Sequence, residues 1–384
     1  MKVAVLGYGT VGAGVYSMLS DAPGMEAGPV LVRPGKAVES FMVSDAALIF
    51  GDPTVDAVVE TLGGLDPAYS YGMRALEAGK HFITANKAMV AAHGLELAAL
   101  AREKGAAFLF SAACGGGVPF LHNLALSAET DRIEAVSGIL NGTTNYMLDA
   151  MQRRSLSYGD ALREAQSLGY AESDPTADVS GLDALRKMQL ACAVAFGVLP
   201  QSGMLCEGME HFTAADVEDI QSRGLVCRLL ARGSRAGEGV SAYVEPVLFP
   251  RAAPESSVFT NNNMARYTGK RCGSIVLMGQ GAGRFPTASA VLRDLAAAQQ
   301  GARSMFPENC RAAEADNREA VHSYYIRTGG FAAVRLSLRS VLAQGEVVRA
   351  VTEPMSAEKM HALAQNIRKD GNDLFFAALE EELC

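Results

Sequence analysis

The chain has 384 residues, of which 49% are hydrophobic and 20% charged; this is enough sequence for two or three domains and excludes global disorder. Its net charge of -8 and its lack of a basic run exclude a typical nucleic-acid-binding protein. No apolar stretch reaches the roughly 18 residues of a membrane span, and the N-terminal run is too short for a signal peptide. Seven cysteines without a C-x-x-C pair favour neither disulfides nor zinc, so we expect a soluble cytoplasmic protein.

The first third of the chain alternates short apolar runs with segments whose apolar residues recur at helical spacing. Predicted strands cover residues 2–6, 30–32, 57–60, 81–85 and 107–110. Predicted helices follow the first strand and then cover about 71–78 and 94–104. This alternation predicts an α/β fold with a parallel, doubly wound sheet.

After three consecutive glycines at 115–117, the pattern becomes that of an α+β domain. Predicted strands lie near 132–140, 241–249 and 274–278, and predicted helices near 158–168, 181–196 and 287–299. The stretch 251–268 has little periodicity and is predicted to be a loop. A last segment, from about 321, is predicted to contain a strand at 324–326, an apolar helix, a strand at 346–351, a polar helix at 356–369 and a strand at 374–379.

A glycine-rich turn, G-Y-G-T-V-G, stands between the first strand and the first helix. The spacing of Gly7, Gly9 and Gly12 lets the backbone approach a pyrophosphate, while the helix N-terminus offers N–H donors. Where an NAD enzyme usually has an acid for the ribose 2′-hydroxyl, this chain offers Arg33 and Lys36, which favours NADP. The alternatives are a glycine turn that binds nothing and two solvated loop cations.

Two further candidates stand at the ends of predicted strands, the edge at which open α/β sheets bind ligands. Lys87 would hold a substrate or transfer a proton there, unless it is an ordinary surface lysine. Cys114 precedes the three glycines, whose backbone groups are open to a ligand or a hard cation. It is also a candidate nucleophile of the thioester-forming kind, although no nearby histidine would activate it and a free cysteine is usually a small buried hydrophobe.

Several acids, at positions 172, 174, 178 and 183, precede the predicted apolar helix. Asp183 and Lys187 are four residues apart and therefore share one helix face. The structural alternative is a capping box of Ser180 and Asp183, with Lys187 as an i,i+4 partner only. The concentration of acids favours a site for a charged substrate. A second glycine-rich turn, G-Q-G-A-G, stands before the helix predicted near 287.

These motifs, in this order along residues 1–300, resemble those of the homoserine dehydrogenase family. Beside the first glycine turn, the resemblance rests on E-T-L-G-G, A-L-E-A-G-K-H-F-I-T-A-N-K-A, G-I-L-N-G-T-T-N-Y-M-L, G-Y-A-E-S-D-P-T-A-D-V-S-G-L-D-A-L-R-K and G-Q-G-A-G-R-F-P-T-A-S-A-V. It implies reversible, NAD(P)-dependent interconversion of L-aspartate 4-semialdehyde and L-homoserine, on the route to threonine, methionine and isoleucine. It also implies a homodimer or homotetramer, and no aspartokinase in this chain.

The resemblance further implies a Rossmann domain over residues 1–125, completed by a helix at 286–300, and a catalytic and dimerisation domain over 126–285. The remainder, 318–384, begins like the family's amino-acid-binding regulatory (ACT) domain but looks degenerate. It has Gly329-Gly330-Phe331 where the family has an Asp-x-x-Gly turn, and it is one predicted strand short. We therefore expect weak or absent inhibition by threonine.

By motif, Lys187 is expected to donate the proton to the aldehyde oxygen, with Lys87 as a second active-site lysine. Glu172 and Asp183 are expected to hold the amino end of the substrate. The residues expected to bind the cofactor, NADP or alternatively NAD, are Gly7, Gly9, Thr10, Val11, Gly12, Arg33 and Lys87, with Gly169 and Gly281 closing over it.

A bound sodium ion is the family feature from which this sequence departs. The family usually has a Glu where this chain has Ser111, and that carboxylate helps to hold the ion. The backbone carbonyls of Cys114, Gly116 and Val118 would remain as ligands, so we expect at most a weakened site.

Two other functional classes stay open on the sequence. One is a semialdehyde dehydrogenase that works through Cys114, and the other is a non-enzymatic nucleotide sensor on the same scaffold. A sensor has no need of Glu172, Asp183 and two lysines at the edges of a cleft, and it would not turn over homoserine.

Overall fold

A computed structural model of the chain describes residues 1–329 and 337–380. Their contacts divide the chain into two compact units. Unit 1 consists of Met1–Ile133, Gln189–Leu199 and Gly269–Arg311, and unit 2 consists of the other described residues. The division into three domains stays a prediction.

The helices of the described residues are α1 (Thr10–Leu19), α2 (Ala47–Phe50), α3 (Ala68–Glu77), α4 (Lys87–Lys104), α5 (Phe120–Thr130), α6 (Gly142–Arg154), α7 (Tyr158–Ser167), α8 (Thr176–Val179), α9 (Leu182–Phe196), α10 (Ala214–Ser222), α11 (Arg284–Gln299) and α12 (Ala357–Lys369). The strands are β1 (Lys2–Leu6), β2 (Glu26–Leu31), β3 (Met42–Val43), β4 (Ala57–Glu60), β5 (His81–Thr84), β6 (Phe108–Leu109), β7 (Ile133–Ile139), β8 (Val198–Ser202), β9 (Leu205–Cys206), β10 (Leu225–Ala236), β11 (Gly239–Pro250), β12 (Asn262–Gly269), β13 (Gly273–Gln280), β14 (Arg311–Glu314), β15 (Val321–His322), β16 (Tyr324–Thr328), β17 (Leu338–Ala343), β18 (Val348–Thr352), β19 (Met355–Ser356) and β20 (Leu374–Leu379). Across the described ranges, no helix has both the length and the apolar composition needed to cross a membrane.

Unit 1 contains a parallel six-stranded sheet in the order β3-β2-β1-β4-β5-β6. Its central strands, β1 and β4, are largely apolar and buried, because helices cover both faces of such a sheet. The strand order reverses between β1 and β4, and ligands bind at the carboxyl ends of strands at such a switch point. The predicted doubly wound α/β fold is confirmed.

Helix α4 begins at Lys87, whereas the sequence predicted that this helix begins near residue 94. The reason is local, because the Asn86 side chain caps the helix by accepting a hydrogen bond from the Met89 N–H at 3.1 Å. Met89 and Val90 are then fully buried. Lys87 is therefore the first helical residue, just beyond the end of β5.

Unit 2 is built on a mixed sheet that contains the strands β12-β7-β10-β11-β20-β16-β18-β17 in this order. The hairpin of β10 and β11 supplies its centre, pairing residues from Leu225 with Pro250 to Ala236 with Gly239. The prediction of a loop over 251–268 is wrong, because β12 occupies the second half of that stretch and pairs with β7. Asparagine has a low β propensity, but Asn263 is buried here, so pairing within the sheet decides the conformation.

The C-terminal segment adds β16, β17, β18 and β20 to the sheet of unit 2. The prediction that it is one strand short is therefore wrong, because β17 forms in the stretch predicted to be an apolar helix. Strand β20 pairs in parallel with β11, with Val247 opposite Ala378, so the segment continues the sheet. Gly330, Phe331 and the rest of the predicted helix up to residue 336 lie outside the described residues. The ACT-like assignment stays a prediction.

Candidate active site

The predicted glycine turn joins β1 to α1 in unit 1. Gly7 has a φ of +98°, a conformation that residues with a side chain rarely adopt. A Cβ on Gly12 would lie 2.1 Å from the Gly7 carbonyl oxygen, so only glycine allows this close approach. Within the described residues no side chain caps α1, whose first residues are Thr10 and Val11. The N–H groups and positive dipole end of α1 therefore suit a phosphate, and the cradle fits a dinucleotide.

The loop after β2 carries the two cations predicted to select NADP. Arg33 and Lys36 are both exposed, and the Lys36 N–H donates to the Arg33 carbonyl at 3.0 Å. Aromatic contacts hold this loop beside the glycine turn: Phe41 stacks on Tyr16 of α1 with ring centroids 4.3 Å apart, and its ring lies 5.7 Å from that of Tyr8. Arg33 and Lys36 thus place two positive charges directly after the end of β2, while the acid of this loop, Glu39, stands further along the chain.

Lys87 lies at the carboxyl edge of the parallel sheet, where a buried network ties the ends of β4 and β5. The fully buried Glu60 carboxylate accepts from Thr84 Oγ1 at 2.5 Å. Thr84 Oγ1 in turn accepts from the Asn86 N–H at 2.9 Å, and Asn86 Nδ2 donates to the Gly64 carbonyl at 2.6 Å. These bonds fix the backbone from which the half-buried Lys87 side chain starts.

Asp183 and Lys187 form a largely buried ion pair, one turn apart on α9 in unit 2. Lys187 Nζ donates to Asp183 Oδ2 at 2.7 Å and to the Leu140 carbonyl at 2.6 Å. Each side chain of the pair is only 12% exposed. The alternative of a capping box is wrong, because in the described part of the chain the buried Ser180 hydroxyl has no hydrogen-bond partner. The pair is therefore neither a helix cap nor a surface ion pair.

Asp178, one of the acids noted in the sequence, lies near this pair together with two polar residues that the sequence prediction missed, Asn141 and Thr143. Asn141 Nδ2 donates to Asp178 Oδ1 at 2.7 Å and to Asp183 Oδ2 at 3.0 Å, so it bridges the two acids. Thr143 Oγ1 donates to Asp178 Oδ2 at 3.2 Å. Burial raises the pKa of Asp178, although the Asn141 hydrogen bond opposes this. One signal was available in the sequence: Asn141 precedes α6 and caps it by accepting from the Thr144 N–H at 2.8 Å.

The other predicted residues of unit 2 lie beyond α7. Gly169 follows that helix with a φ of +75°, and its N–H donates to the Gln166 carbonyl at 3.0 Å. Glu172 is exposed, and its carbonyl accepts from Gln166 Nε2 at 3.2 Å. The roles of Gly169 at the cofactor and of Glu172 at the substrate stay predictions.

The two other glycine-rich turns pack against each other in unit 1. A Cβ on Gly116 would lie 2.4 Å from the Gly281 carbonyl oxygen, so the two backbones touch. The Gly117 N–H also donates to the Gln280 carbonyl at 3.0 Å. Cys114, next to these turns, is fully buried, so its thiol does not meet a substrate without rearrangement. This burial argues against the hypothesis that Cys114 is a catalytic nucleophile.

The contacts in this region fit a sodium ion poorly. Ser111 brings no carboxylate, and Arg293 donates to the Gly117 carbonyl at 3.1 Å, so a positive charge already lies against the backbone of this turn. In the ranges that the structure describes, no group of three or more His, Cys, Asp or Glu side chains could hold a metal ion.

The buried carboxyl of Asp294 makes the stability of unit 1 depend on pH. The Ser111 N–H donates to it at 2.7 Å, and burial raises its pKa from 3.8 to about 7. The folded state therefore holds a proton that the unfolded state loses first. The protonated Asp294 carboxyl therefore stabilises the folded state fully below pH ~4, and this contribution is lost as the pH rises to about 7.

We expect Asp294→Asn, which keeps an acceptor but does not titrate, to flatten the fall in free energy of unfolding between these pH values. Urea denaturation at a series of pH values measures this slope. A variant with the wild-type slope would show that another group is responsible.

Comparisons with known proteins show what this chain is similar to. A family model described as "Homoserine dehydrogenase, NAD binding domain" matches residues 7–111, and one described as "Homoserine dehydrogenase" matches 119–296. The chain is 37% identical to the homoserine dehydrogenase of Synechocystis sp. over 319 residues, which is 77% of this chain and 72% of that one. It is 38% identical to that of Corynebacterium glutamicum over 317 residues, covering 77% and 71%.

Solved structures agree as well. The crystal structure of a homoserine dehydrogenase from Thiobacillus denitrificans superposes with a TM-score of 0.87 at 30% identity, covering 99% of this chain and 98% of that one. A hyperthermophilic archaeal homoserine dehydrogenase in complex with NADPH has the same fold, with a TM-score of 0.67 at 24% identity over 81% of this chain and 99% of that one.

Proposed function

The chain belongs to the homoserine dehydrogenase family, and we propose that it reduces L-aspartate 4-semialdehyde with NADPH as the preferred cofactor and Lys187 as the proton donor. Membership in this family makes it an NAD(P)-dependent oxidoreductase that interconverts the semialdehyde and L-homoserine, a step of amino-acid biosynthesis. The assignment of roles to individual residues is our proposal.

The proposed proton transfer rests on the fixed, largely buried ammonium group of Lys187. A bound nicotinamide cofactor supplies the hydride. The aldehyde oxygen gains negative charge during reduction and needs a proton from a group within hydrogen-bond reach. The Leu140 carbonyl and Asp183 hold Nζ in one place, so the ammonium is oriented before the substrate arrives. Lys187 is thus suited to deliver the proton, with Lys87 as a second lysine for substrate or cofactor.

The acids beside Lys187 provide for the charged end of the substrate. Asn141 brings the carboxylates of Asp178 and Asp183 to one side of α9, and carboxylates are the natural partners of an ammonium group. We assign the amino end of the substrate to Asp183, with Glu172 as a further acid from the turn after α7. Because Lys187 is one helical turn from Asp183, this contact also sets the distance of the substrate from the proton donor.

For the cofactor, the turn of Gly7, Gly9 and Gly12 and the N-terminus of α1 would hold the pyrophosphate. Arg33 would bind the 2′-phosphate of NADP, and its exposed guanidinium supports this role because it can donate two hydrogen bonds to a phosphate. The archaeal homoserine dehydrogenase of the same fold was solved with NADPH. The further cofactor contacts that we propose are Thr10, Val11, Lys87, Gly169 and Gly281.

We expect Arg33→Ala to raise the KM for NADP and to leave the KM for NAD nearly unchanged, because only NADP carries the 2′-phosphate. Steady-state kinetics with each cofactor measures both constants. Arg251→Ala, which removes another exposed arginine of a loop, is the control and should change neither. Equal increases for both cofactors after Arg33→Ala would contradict NADP selection by this residue.

We also propose a homodimer or homotetramer in a reducing cytoplasm. Exposed Val276 and Met278 on β13 support association, because apolar side chains on an exposed strand favour contact with another protein surface. Five cysteines of the described residues, Cys192, Cys206, Cys227, Cys272 and Cys310, are free thiols, as expected in a reducing compartment. The burial of Cys114 disfavours the alternative of a thioester-forming dehydrogenase. Membership in a family of enzymes disfavours the alternative of a non-enzymatic sensor.

A further inference from the structure

We propose that the ion pair of Arg368 with Glu207 positions Asp183 for the substrate, and that the C-terminal helix α12 thereby sets the affinity for homoserine. This inference rests on the proposed role of Asp183. Arg368 and Glu207 are positioning residues, because neither one is proposed to touch substrate or cofactor. The connection runs from α12 through residues 206–209 to the turn that starts α9, all within unit 2.

The ion pair itself is bidentate and largely shielded from water. Arg368 Nη1 donates to Glu207 Oε2 at 2.9 Å, and Nη2 donates to Oε1 at 2.7 Å. The side chains are 20% and 10% exposed. Arg368 is held in turn by the Leu374 carbonyl, which accepts from Nε at 3.1 Å and from Nη2 at 2.8 Å. A planar guanidinium with both edges engaged fixes the carboxylate in direction as well as in distance.

The residues around Glu207 are fitted closely to the turn of residues 179–181. The Cys206 thiol donates to the Ser180 carbonyl at 3.1 Å, and the Met209 N–H donates to the Val179 carbonyl at 2.9 Å. A Cβ on Gly208 would lie 2.2 Å from that same Val179 carbonyl oxygen. A shift of the Glu207 segment therefore moves the turn, because no space separates the two backbones.

The turn leads directly into the helix that carries the acid. Gly181 adopts a φ of +84°, and a Cβ on it would lie 3.1 Å from the Cys206 sulfur. The Gly181 carbonyl accepts from the Leu185 N–H at 2.9 Å, which makes it the first acceptor of α9. Asp183 is two residues further on. Its carboxylate must meet both Asn141 and Lys187, so a small displacement of the helix start alters its alignment.

We expect loss of the ion pair to act on substrate binding more than on the chemical step. Asp183 binds the amino end of the substrate in both the ground and transition states, so its misplacement raises KM. The proton donor Lys187 lies a full turn deeper in α9 and keeps its bond to the Leu140 carbonyl. Coupling through packed side chains typically changes an affinity by roughly 2- to 30-fold, and we expect the KM for homoserine to rise within that range.

The experiment is a double-mutant cycle in the full-length chain with Glu207→Gln, Arg368→Met and the two combined. Each variant is assayed for the KM for homoserine, the KM for NADP and kcat, and its unfolding is followed separately. The control is Asp219→Asn, which breaks a comparable bidentate pair with Arg223 on α10, with bonds of 2.9 Å each and side chains 17% and 31% exposed. Asp183→Ala is measured alongside.

We expect both single variants and the double variant to raise the KM for homoserine by the same factor, with the KM for NADP and kcat little changed, because both substitutions remove one pair. Asp219→Asn should leave the KM for homoserine unchanged. An unchanged KM in folded Glu207→Gln, or an equal rise in Asp219→Asn, would overturn the inference. If Asp183→Ala itself fails to raise this KM, the proposed role of Asp183 falls, and that outcome is separate from a failure of the pair alone.

Discussion

Lys187→Ala is expected to lower turnover by about 10²–10⁴-fold, the usual contribution of general acid catalysis. Without the ammonium, the alkoxide formed on reduction has no proton donor fixed within hydrogen-bond reach. The two bonds of Nζ, 2.7 Å to Asp183 and 2.6 Å to the Leu140 carbonyl, show that its position is set by the protein. Binding of NADP should barely change. Steady-state kinetics in both directions, with cofactor titration, measures these quantities.

Two variants of the same helix serve as controls for Lys187→Ala. Arg186→Ala removes the neighbouring exposed cation of α9 and should leave turnover near that of the wild type. Asp183→Ala should act mainly through the KM for homoserine, because it removes binding that is present in both the ground and transition states. If Lys187→Ala folds normally and keeps near-wild-type turnover, the buried pair is structural and another group donates the proton.

Arg327→Met is expected to lower the free energy of unfolding by about 3–5 kcal/mol, the usual cost of removing one partner of a buried ion pair. Arg327 of β16 donates from Nε to Asp216 Oδ1 at 2.7 Å and from Nη2 to the His211 carbonyl at 2.8 Å, and it also pairs with Asp373. Asp216 is fully buried in α10. Methionine fills similar space but leaves that carboxylate without its cation.

Urea denaturation near neutral pH measures the effect of Arg327→Met. The control is Arg318→Met, which breaks a pair with Asp316 whose side chains are 75% and 40% exposed, and exposed pairs contribute only about 0–1 kcal/mol. A loss in Arg327→Met no larger than in this control would show that the C-terminal segment is only loosely joined to the rest of unit 2.

The same contacts bear on regulation through the C-terminal segment. Because β20 pairs with β11 and Arg327 binds α10, we expect truncation before residue 321 to expose the core of unit 2. A loss of threonine binding after such a truncation would therefore not separate regulation from unfolding. Weak or absent threonine inhibition stays a prediction, and calorimetry on the full-length chain is the suitable test.

The features that the sequence predicted well are those set by a few neighbouring residues. The turn of Gly7, Gly9 and Gly12 depends on the backbone conformation of one short stretch, so its spacing alone reveals it. Asp183 and Lys187 meet because helical geometry places residues four apart on one face. The helix around them was predicted within one residue of its observed start.

The features that the sequence-based prediction missed depend on contacts between distant parts of the chain. Asn141 and Asp178 are 37 residues apart and meet only in the folded unit. Strand β12 contains adjacent asparagines, which disfavour a strand until β7 offers its hydrogen bonds. Strand β10 was not predicted at all, although its twelve paired residues with β11 form the centre of the sheet. Such pairing leaves little trace in local periodicity.

The proposed reduction is tested by following the consumption of NADPH by the 384-residue chain with L-aspartate 4-semialdehyde and identifying the product. We predict that NADPH is oxidised and L-homoserine formed in equal amounts, more efficiently than with NADH, and that Lys187→Ala abolishes most of this turnover while still binding NADPH. A folded wild-type chain that binds NADPH but leaves it unoxidised in the presence of the semialdehyde would contradict the proposed reductase activity.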